Sequence, residues 1–243
     1  MMYSLIAPAR LSHANFGIDS GDFLAAFLTQ GIPHPTGYPT YTLLGIFFQQ
    51  FPIGTPVLRG VLASLIPAAM ATGLLAAWVR YVLGGSARSH VLAALSAGLA
   101  WGISPLLLSQ AVIVDVHGLQ SLIAMLVLWW ITLNLEGKTL VRRKLNLFLS
   151  FLVGLGCGNH ATILFLALPS IASLILSLKR GSSWKFVFGE IGLVLLGLCV
   201  YLYLPIRASA YPAINWGNPQ TLSGFVWEVS GIPYRGLLFS VAA

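Results

Sequence analysis

The sequence predicts an all-α protein: a polytopic transmembrane helical bundle of about six spans with a short interfacial helix. Three observations point there. Mean hydropathy is +0.86 and 8% of residues are charged, where a soluble domain carries about a quarter. Apolar runs of roughly the 20 residues needed to cross a bilayer recur along the chain. The Lys and Arg residues fall in short segments between those runs, as topology determinants do. That placement also explains the net charge of +7. Nucleic-acid binding needs a basic patch on a water-exposed face, so membrane lipid is the expected partner and nucleic acid is not. Residues 1–243 read as a single membrane-embedded domain.

Met1–Ala9 is apolar, too short to span, and lacks the basic segment of a signal peptide; it is expected to be the remnant of a first span. Asp19 and Asp22 then precede a short apolar stretch. Thr40–Phe51 is too short to cross and is expected to be the interfacial or re-entrant helix. Pro56–Val82 is the first clear span, its Pro67 tolerated as a kink where neighbours satisfy the freed carbonyl. Further spans are expected at Ser89–Gln110, at Gly118–Leu135, twice within Leu145–Leu178, and at Phe186–Leu204. Residues 205–243 read as a polar, aromatic loop region ending in an apolar run, so truncation is expected at both ends. Cys157 and Cys199 both lie in apolar runs, which argues against a disulfide framework.

If cytoplasmic segments carry the excess of Lys and Arg, then Arg80–Arg88, Glu136–Lys144 and Lys179–Lys185 share that side. Leu145–Leu178 must then cross out and back, turning near Asn159. Its first arm, Leu145–Gly158, would be about 21 Å long against a core of roughly 30 Å, so the turn should be recessed. Asp19, Asp22, His34, Asp115, His117, Asn159, His160, Arg207, Glu228 and Arg235 all fall on the opposite, non-cytoplasmic side. Polar groups at a membrane face are costly unless paired or wetted, so a shared, partly aqueous cavity is expected.

Asp19 and Asp22 stand three apart and would be neighbours on a helix face. They suit either a base role for one of two interacting carboxylates or a helix start with an acidic first turn. His34-Pro35-Thr36-Gly37-Tyr38-Pro39 joins two residues of fixed φ to a glycine free to take positive φ, which makes a stiff loop. His34 suits phosphate binding or orientation of an acid; Tyr38 suits stacking on a sugar. Asp115, His117, Asn159 and His160 suit hydrogen bonding at helix ends better than metal ligation, because no two of these histidines have the i, i+4 spacing of helical ligands. Arg207, just past a span, offers a planar fork for phosphate or snorkels at the interface. Walker, dinucleotide and zincin motifs are absent from the sequence.

Asn15-Phe16-Gly17, Asp19-Ser20-Gly21-Asp22, His34-Pro35-Thr36-Gly37-Tyr38-Pro39, Gly158-Asn159-His160, Tyr203-Leu204-Pro205-Ile206-Arg207 and Asn215-Trp216-Gly217-Asn218-Pro219 together resemble a family of multi-span membrane proteins. That family includes the transmembrane protein 260 type O-mannosyltransferases and many bacterial members. The resemblance implies a GT-C-like fold and transfer of a hexose from a polyprenyl-phosphate-linked donor to a hydroxyl of a protein or glycan acceptor. It places the catalytic acid at Asp19 or Asp22. Relatives often carry Glu at the position of Asp22 and a second proline at that of Thr36, so Asp19 is favoured. It also implies substrate-binding roles for His34, Tyr38, Asn159, His160, Arg207 and Trp216. No cofactor and no metal is required by such a scheme. A transporter or flippase, which also needs a polar cavity between helices, and an inactive enzyme remnant are the competing readings. The short loops point to a bacterial plasma membrane, with the active side non-cytoplasmic.

Overall fold

A computed structural model of the chain describes residues 11, 14–136, 140–234 and 236. The expected remnant Met1–Ala9, the terminal apolar run and Arg235 lie outside the described residues. Among the described residues the fold is all-helical, with one isolated parallel bridge between Ile32 and Asn215. Two short helices come first, α1 (Ser20–Thr29) and α2 (Pro39–Gln49), then the long α3 (Pro56–Leu83). A bent pair follows, α4 (Arg88–Gly102) and α5 (Pro105–Ala111), and then α6 (His117–Glu136) and α7 (Leu140–Cys157). A 3-10 turn (Ala161–Leu166) leads into α8 (Ala167–Lys179). Next, α9 (Trp184–Leu198) runs through a second 3-10 turn (Cys199–Leu202) into α10 (Tyr203–Ala208), and α11 (Leu222–Val229) closes the order.

Among the described residues, four helical stretches are long and apolar enough to cross a membrane: Pro56–Leu83, His117–Glu136, Ala161–Lys179 and Trp184–Ala208. There are five if the bent pair α4–α5 counts as one span. That pair occupies the expected span Ser89–Gln110 and adds a break within it, where the two helices meet at 58°. Pro105 supplies no N–H to the preceding turn and disfavours helical backbone at the residue before it. The Ser104 side chain meanwhile caps the new helix by accepting from the Leu107 N–H. A turn at Asn159 does separate α7 from α8, although of the two arms only Ala161–Lys179 is among the stretches long and apolar enough to cross. Its first arm is longer than expected, because α7 begins at Leu140 within the basic segment. Its 18 residues give a length of about 27 Å, and Asn159 at the turn is nevertheless fully buried, so the turn is recessed in the protein as expected. The stretch Thr40–Phe51, expected to be an interfacial or re-entrant helix, falls on α2, which starts with Pro39 in its first turn.

Helix α6 is central and touches α3, α5, α7 and α8. Close approaches are made at glycine, as in membrane bundles that rely on small residues for contact. A Cβ at Gly154 of α7 would lie 2.1 Å from the Val194 carbonyl of α9, and one at Gly118 would lie 2.2 Å from the Ser64 carbonyl of α3. Fully buried Glu190 of α9 accepts hydrogen bonds from Trp130 Nε1 of α6 (3.2 Å) and from the Asn146 amide of α7. One carboxyl thus ties three helices. Glu190→Ala leaves two buried donors unpaired, at about 1–3 kcal/mol each; a fall in thermal midpoint of the purified protein is expected, with Glu190→Gln close to wild type because it keeps an acceptor.

Among the described residues, the basic segments meet at one end of the bundle. The Arg180 guanidinium donates to the Leu135 carbonyl, Arg143 lies over the Phe186 ring at 5.8 Å, and Tyr81 reaches Glu136. The start of α6, the end of α7 and the Gly158–His160 turn lie at the other end. The remaining acidic residues, apart from Glu190, are there too.

Candidate active site

Asp19 sits at the N-cap of α1, but its side chain makes no capping bond. Its carboxylate is 54% exposed, against 23% for Asp22 one turn on. The difference comes from the loop after α1. Ile32 N–H donates to the Ile214 carbonyl (2.8 Å) and Trp216 N–H to the Ile32 carbonyl (3.2 Å), which lays the distal segment along this loop. Gly31 permits the contact, since a Cβ there would stand 2.3 Å from the Ile214 oxygen. The docking delivers the Trp216 indole N–H to Asp22 Oδ1 at 3.1 Å. His34 closes the other side: its backbone N–H and its ring Nδ1 both bond Asp22 Oδ2 at 2.8 Å. Burial alone would raise the Asp22 pKa, but the hydrogen bonds and charge of His34, with the Trp216 bond, hold it below the ordinary carboxylate value. Asp22 is therefore a clamped anion. The bond at Nδ1 turns His34 Nε2 towards Asp19 Oδ2, 3.8 Å away.

The loop is stiff, as its prolines and glycine predict. Gly37 takes φ +76° and Tyr38 φ +40°. The Tyr38 ring meets Phe23 and His34 edge-on at 5.2 and 5.1 Å and stacks on His160 at 6.1 Å. Burial pushes the Tyr38 hydroxyl far above its usual range, so it is a neutral phenol, donating to the Pro35 carbonyl at 3.2 Å. His160 in turn faces His117, with ring centroids 5.5 Å apart. Burial, and then the charge of His117, lowers the His160 pKa. His117 Nε2 is 3.6 Å from Asp115 Oδ1. Burial raises the Asp115 carboxyl, with His117 opposing. Asp115 is fixed through its backbone, whose N–H and carbonyl both engage the Ser64 hydroxyl.

Asp19, Asp115 and His117 border one cavity of about 510 Å³, completed by Trp101, Gln110 and Gln120 among others. The wall from Trp101 to Gln110 is the bent α4–α5 pair, so the break at Pro105 shapes the cavity. Asn159 does not line it. Fully buried, Asn159 donates to Gln120 Oε1 (2.9 Å) and to the Val116 carbonyl (3.3 Å), and so sets the side chain that does.

Of the eight sequence-predicted site residues, Asp19, Asp22, His34, Tyr38, His160 and Trp216 are brought together, and Asn159 acts on the cavity wall through Gln120. Arg207 is not. Its Nε–H donates to the Gln30 carbonyl at 2.7 Å, at the C-terminal end of α1, about 15 Å along the helix from Asp19. A cation there complements the helix dipole. Trp101, Gln110 and Gln120 carried no signal in sequence, and Asp115 and His117 were legible only as helix-end polar groups. Among the described residues, no cluster of three or more His, Cys, Asp or Glu is arranged to hold a metal ion.

Apolar helices with carboxylates and histidines drawn to one end around a cavity describe an integral membrane protein with a polar site at that end of its bundle. The chain belongs to the family described as Protein O-mannosyl-transferase TMEM260 N-terminal domain, which it matches over residues 19–184. It is 30% identical over 223 residues to the mouse protein O-mannosyl-transferase TMEM260, covering 86% of this chain and 30% of the mouse protein. It is 24% identical over 227 residues to the Dictyostelium discoideum protein O-mannosyl-transferase tmem260, covering 86% of this chain and 27% of that protein. The chain thus spans under a third of the length of these relatives. No solved structure matches it significantly.

Proposed function

We propose that this chain carries the catalytic centre of a GT-C-type membrane glycosyltransferase, moving mannose from a polyprenyl-phosphate donor to a hydroxyl of a protein acceptor. The observation that carries the proposal is the contrast between two neighbouring carboxylates. Asp22 is clamped by three donors and has lost basicity, whereas Asp19 stands free of capping bonds on the wall of the cavity. Asp19 is the general base. It takes the proton of the acceptor hydroxyl as that oxygen attacks the anomeric carbon. The bond from that carbon to the phosphate oxygen breaks, and its electron pair leaves on the phosphate. One displacement inverts the anomeric centre. Asp22 holds His34, and His34 Nε2 supports Asp19. The scheme uses no metal or cofactor.

The sugar lies in the 510 Å³ cavity, with Trp101 as its apolar wall and Gln110 and Gln120 as hydrogen-bonding groups. His117, 48% exposed at the start of α6, faces the donor phosphate. This takes the role expected of Arg207, which faces Gln30 instead. An apolar cavity of about 230 Å³ opens beside the 3-10 turn that follows His160, lined by Trp130, Ile163, Leu174, Ile191 and Leu195 among others, and suits the lipid tail of the donor. The basic segments cap the opposite helix ends, which supports a non-cytoplasmic active side.

The test is reconstitution in proteoliposomes with polyprenyl-phosphate mannose and an acceptor peptide. Mannosyl-peptide and free polyprenyl phosphate should accumulate together. Passage of intact donor across the bilayer without cleavage would instead establish a transporter. Trp101→Ala and His117→Ala should each raise the KM for donor by about tenfold or more, the equivalent of one lost contact of roughly 1.4 kcal/mol; unchanged KM in both would place the donor elsewhere.

A further inference from the structure

Glu228, on α11, is fully buried. Neither carboxyl oxygen has a hydrogen-bond partner in the structure. An ionised carboxylate without donors in such a place would be a large uncompensated cost. The space it occupies is made by two glycines in left-handed conformation. A Cβ on Gly37 (φ +76°) would lie 3.4 Å from Glu228 Oε1, and one on Gly217 (φ +62°) would lie 2.4 Å from Oε2. Gly37 belongs to the loop that carries His34, and Gly217 follows Trp216. The two side chains that clamp Asp22 therefore hang from backbones resting on this one carboxyl.

We propose that Glu228 is a positioning residue held as a neutral acid, wedged between the His34–Gly37 loop and the Trp216–Gly217 turn so that both reach Asp22. Its surroundings set the sign. Asp22 of α1 is an anion that acts on it, Tyr234 lies within electrostatic reach as a neutral phenol, and His34 is committed to Asp22. From α10 the Gly37 site is met by Leu204, while Arg207 is turned to Gln30. No cation among these offsets a second negative charge. Burial, and then the Asp22 charge, pushes the Glu228 pKa up to about 8. Ionisation above that value adds a second negative charge within electrostatic reach of Asp22 and loosens the clamp.

The sign for stability follows from the same groups. The unfolded chain ionises Glu228 near 4.5, whereas the folded chain keeps the proton until about pH 8. The group therefore costs stability progressively between those values, about tenfold in the folding equilibrium constant per pH unit. The part of this proposal that concerns transfer rests on the glycosyltransferase reading; the clamp does not, so the test is read from structure first. Thermal unfolding of the purified chain, wild type against Glu228→Gln, should show the glutamine variant gaining relative stability from pH 5 to 8 and no further gain to pH 9. The emission of Trp216, taken as the difference from Trp216→Phe in each background, should shift between pH 7 and 9 in wild type and stay fixed in Glu228→Gln. Glu228→Ala, which leaves a void, should disturb Trp216 at every pH, and Gln should rescue it. Parallel wild-type and Gln stability curves, or a Gln variant that disturbs Trp216 as much as Ala does at pH 7, would overturn the proposal. Once transfer is measurable, its alkaline limb should move upward in Glu228→Gln; absence of transfer in both proteins would strike the enzyme reading and leave the Trp216 result standing.

Discussion

Asp19→Asn is expected to abolish mannosyl transfer, with a loss on the order of 10²–10⁴-fold for removal of a general base, while the protein stays folded. Both halves of that expectation have a structural cause. The Asp19 carboxylate borders the cavity, so its loss removes the group placed to take the acceptor proton. It is 54% exposed and makes no capping bond, so its loss removes little of what holds α1. Exposed substitutions of this kind cost within about 0.5 kcal/mol. The measurement is initial rate against donor and acceptor, alongside the thermal midpoint. Full activity in the variant would pass the base role to another group, and His34 Nε2 is the nearest candidate at 3.8 Å. Lost activity with a lowered midpoint would show instead that Asp19 is structural.

The division of labour between the two aspartates was only half legible in the sequence. Spacing placed Asp19 and Asp22 on neighbouring turns, and the prolines with Gly37 announced a stiff loop after them. Those are local signals, and local backbone preferences are what sequence carries best. What separates the two carboxylates is Trp216, which lies 194 positions from Asp22 and arrives only because Ile32 and Asn215 form a bridge. No periodicity reports a contact of that range. Glu228 shows the same limit: on its own helix it is one acidic residue in an amphipathic segment, and its burial exists only because two distant glycines leave room. Arg207 differs in that it lies apart from the cluster. Its position after a span gave it a plausible phosphate role, but an interfacial arginine also suits a helix C-terminus, and the carbonyl of Gln30 is what it meets. The spans were legible where composition alone decides. At Ser89–Gln110 hydropathy marks the apolar stretch but averages over Pro105, so the 58° bend within it was not legible: the effect of proline is on backbone geometry and not on polarity.

Asp22→Ala should damage both stability and transfer, in contrast to Asp19→Asn. Three donors converge on this carboxylate, two from His34 and one from Trp216. Hydrogen bonds to a charged acceptor contribute about 1.5–3 kcal/mol each when shielded, and partial exposure of Asp22 reduces that. A loss of roughly 2–4 kcal/mol is expected, since the deletion leaves a buried backbone N–H and a histidine ring without their acceptor. Transfer should fall by on the order of 10²-fold or more, because His34 is then free to turn away from Asp19 and misplacement of this kind is costly. Asp22→Asn keeps one acceptor oxygen and should lie between wild type and Ala. The pH dependence separates this effect from that of Glu228. The folded pKa of Asp22 is depressed below 3.8, so its stabilisation is complete above the unfolded value and is lost only as pH falls through the lower, folded one. The stability gap between wild type and Asp22→Asn should therefore be flat from pH 5 to 8 and close below about pH 3.8. The gap between wild type and Glu228→Gln should change over the range where the first is flat. A gap at Asp22 that closes, as pH falls, already well above 3.8 would mean that the bonds from His34 and Trp216 do not hold this carboxylate as an anion, and the clamp would fail as drawn.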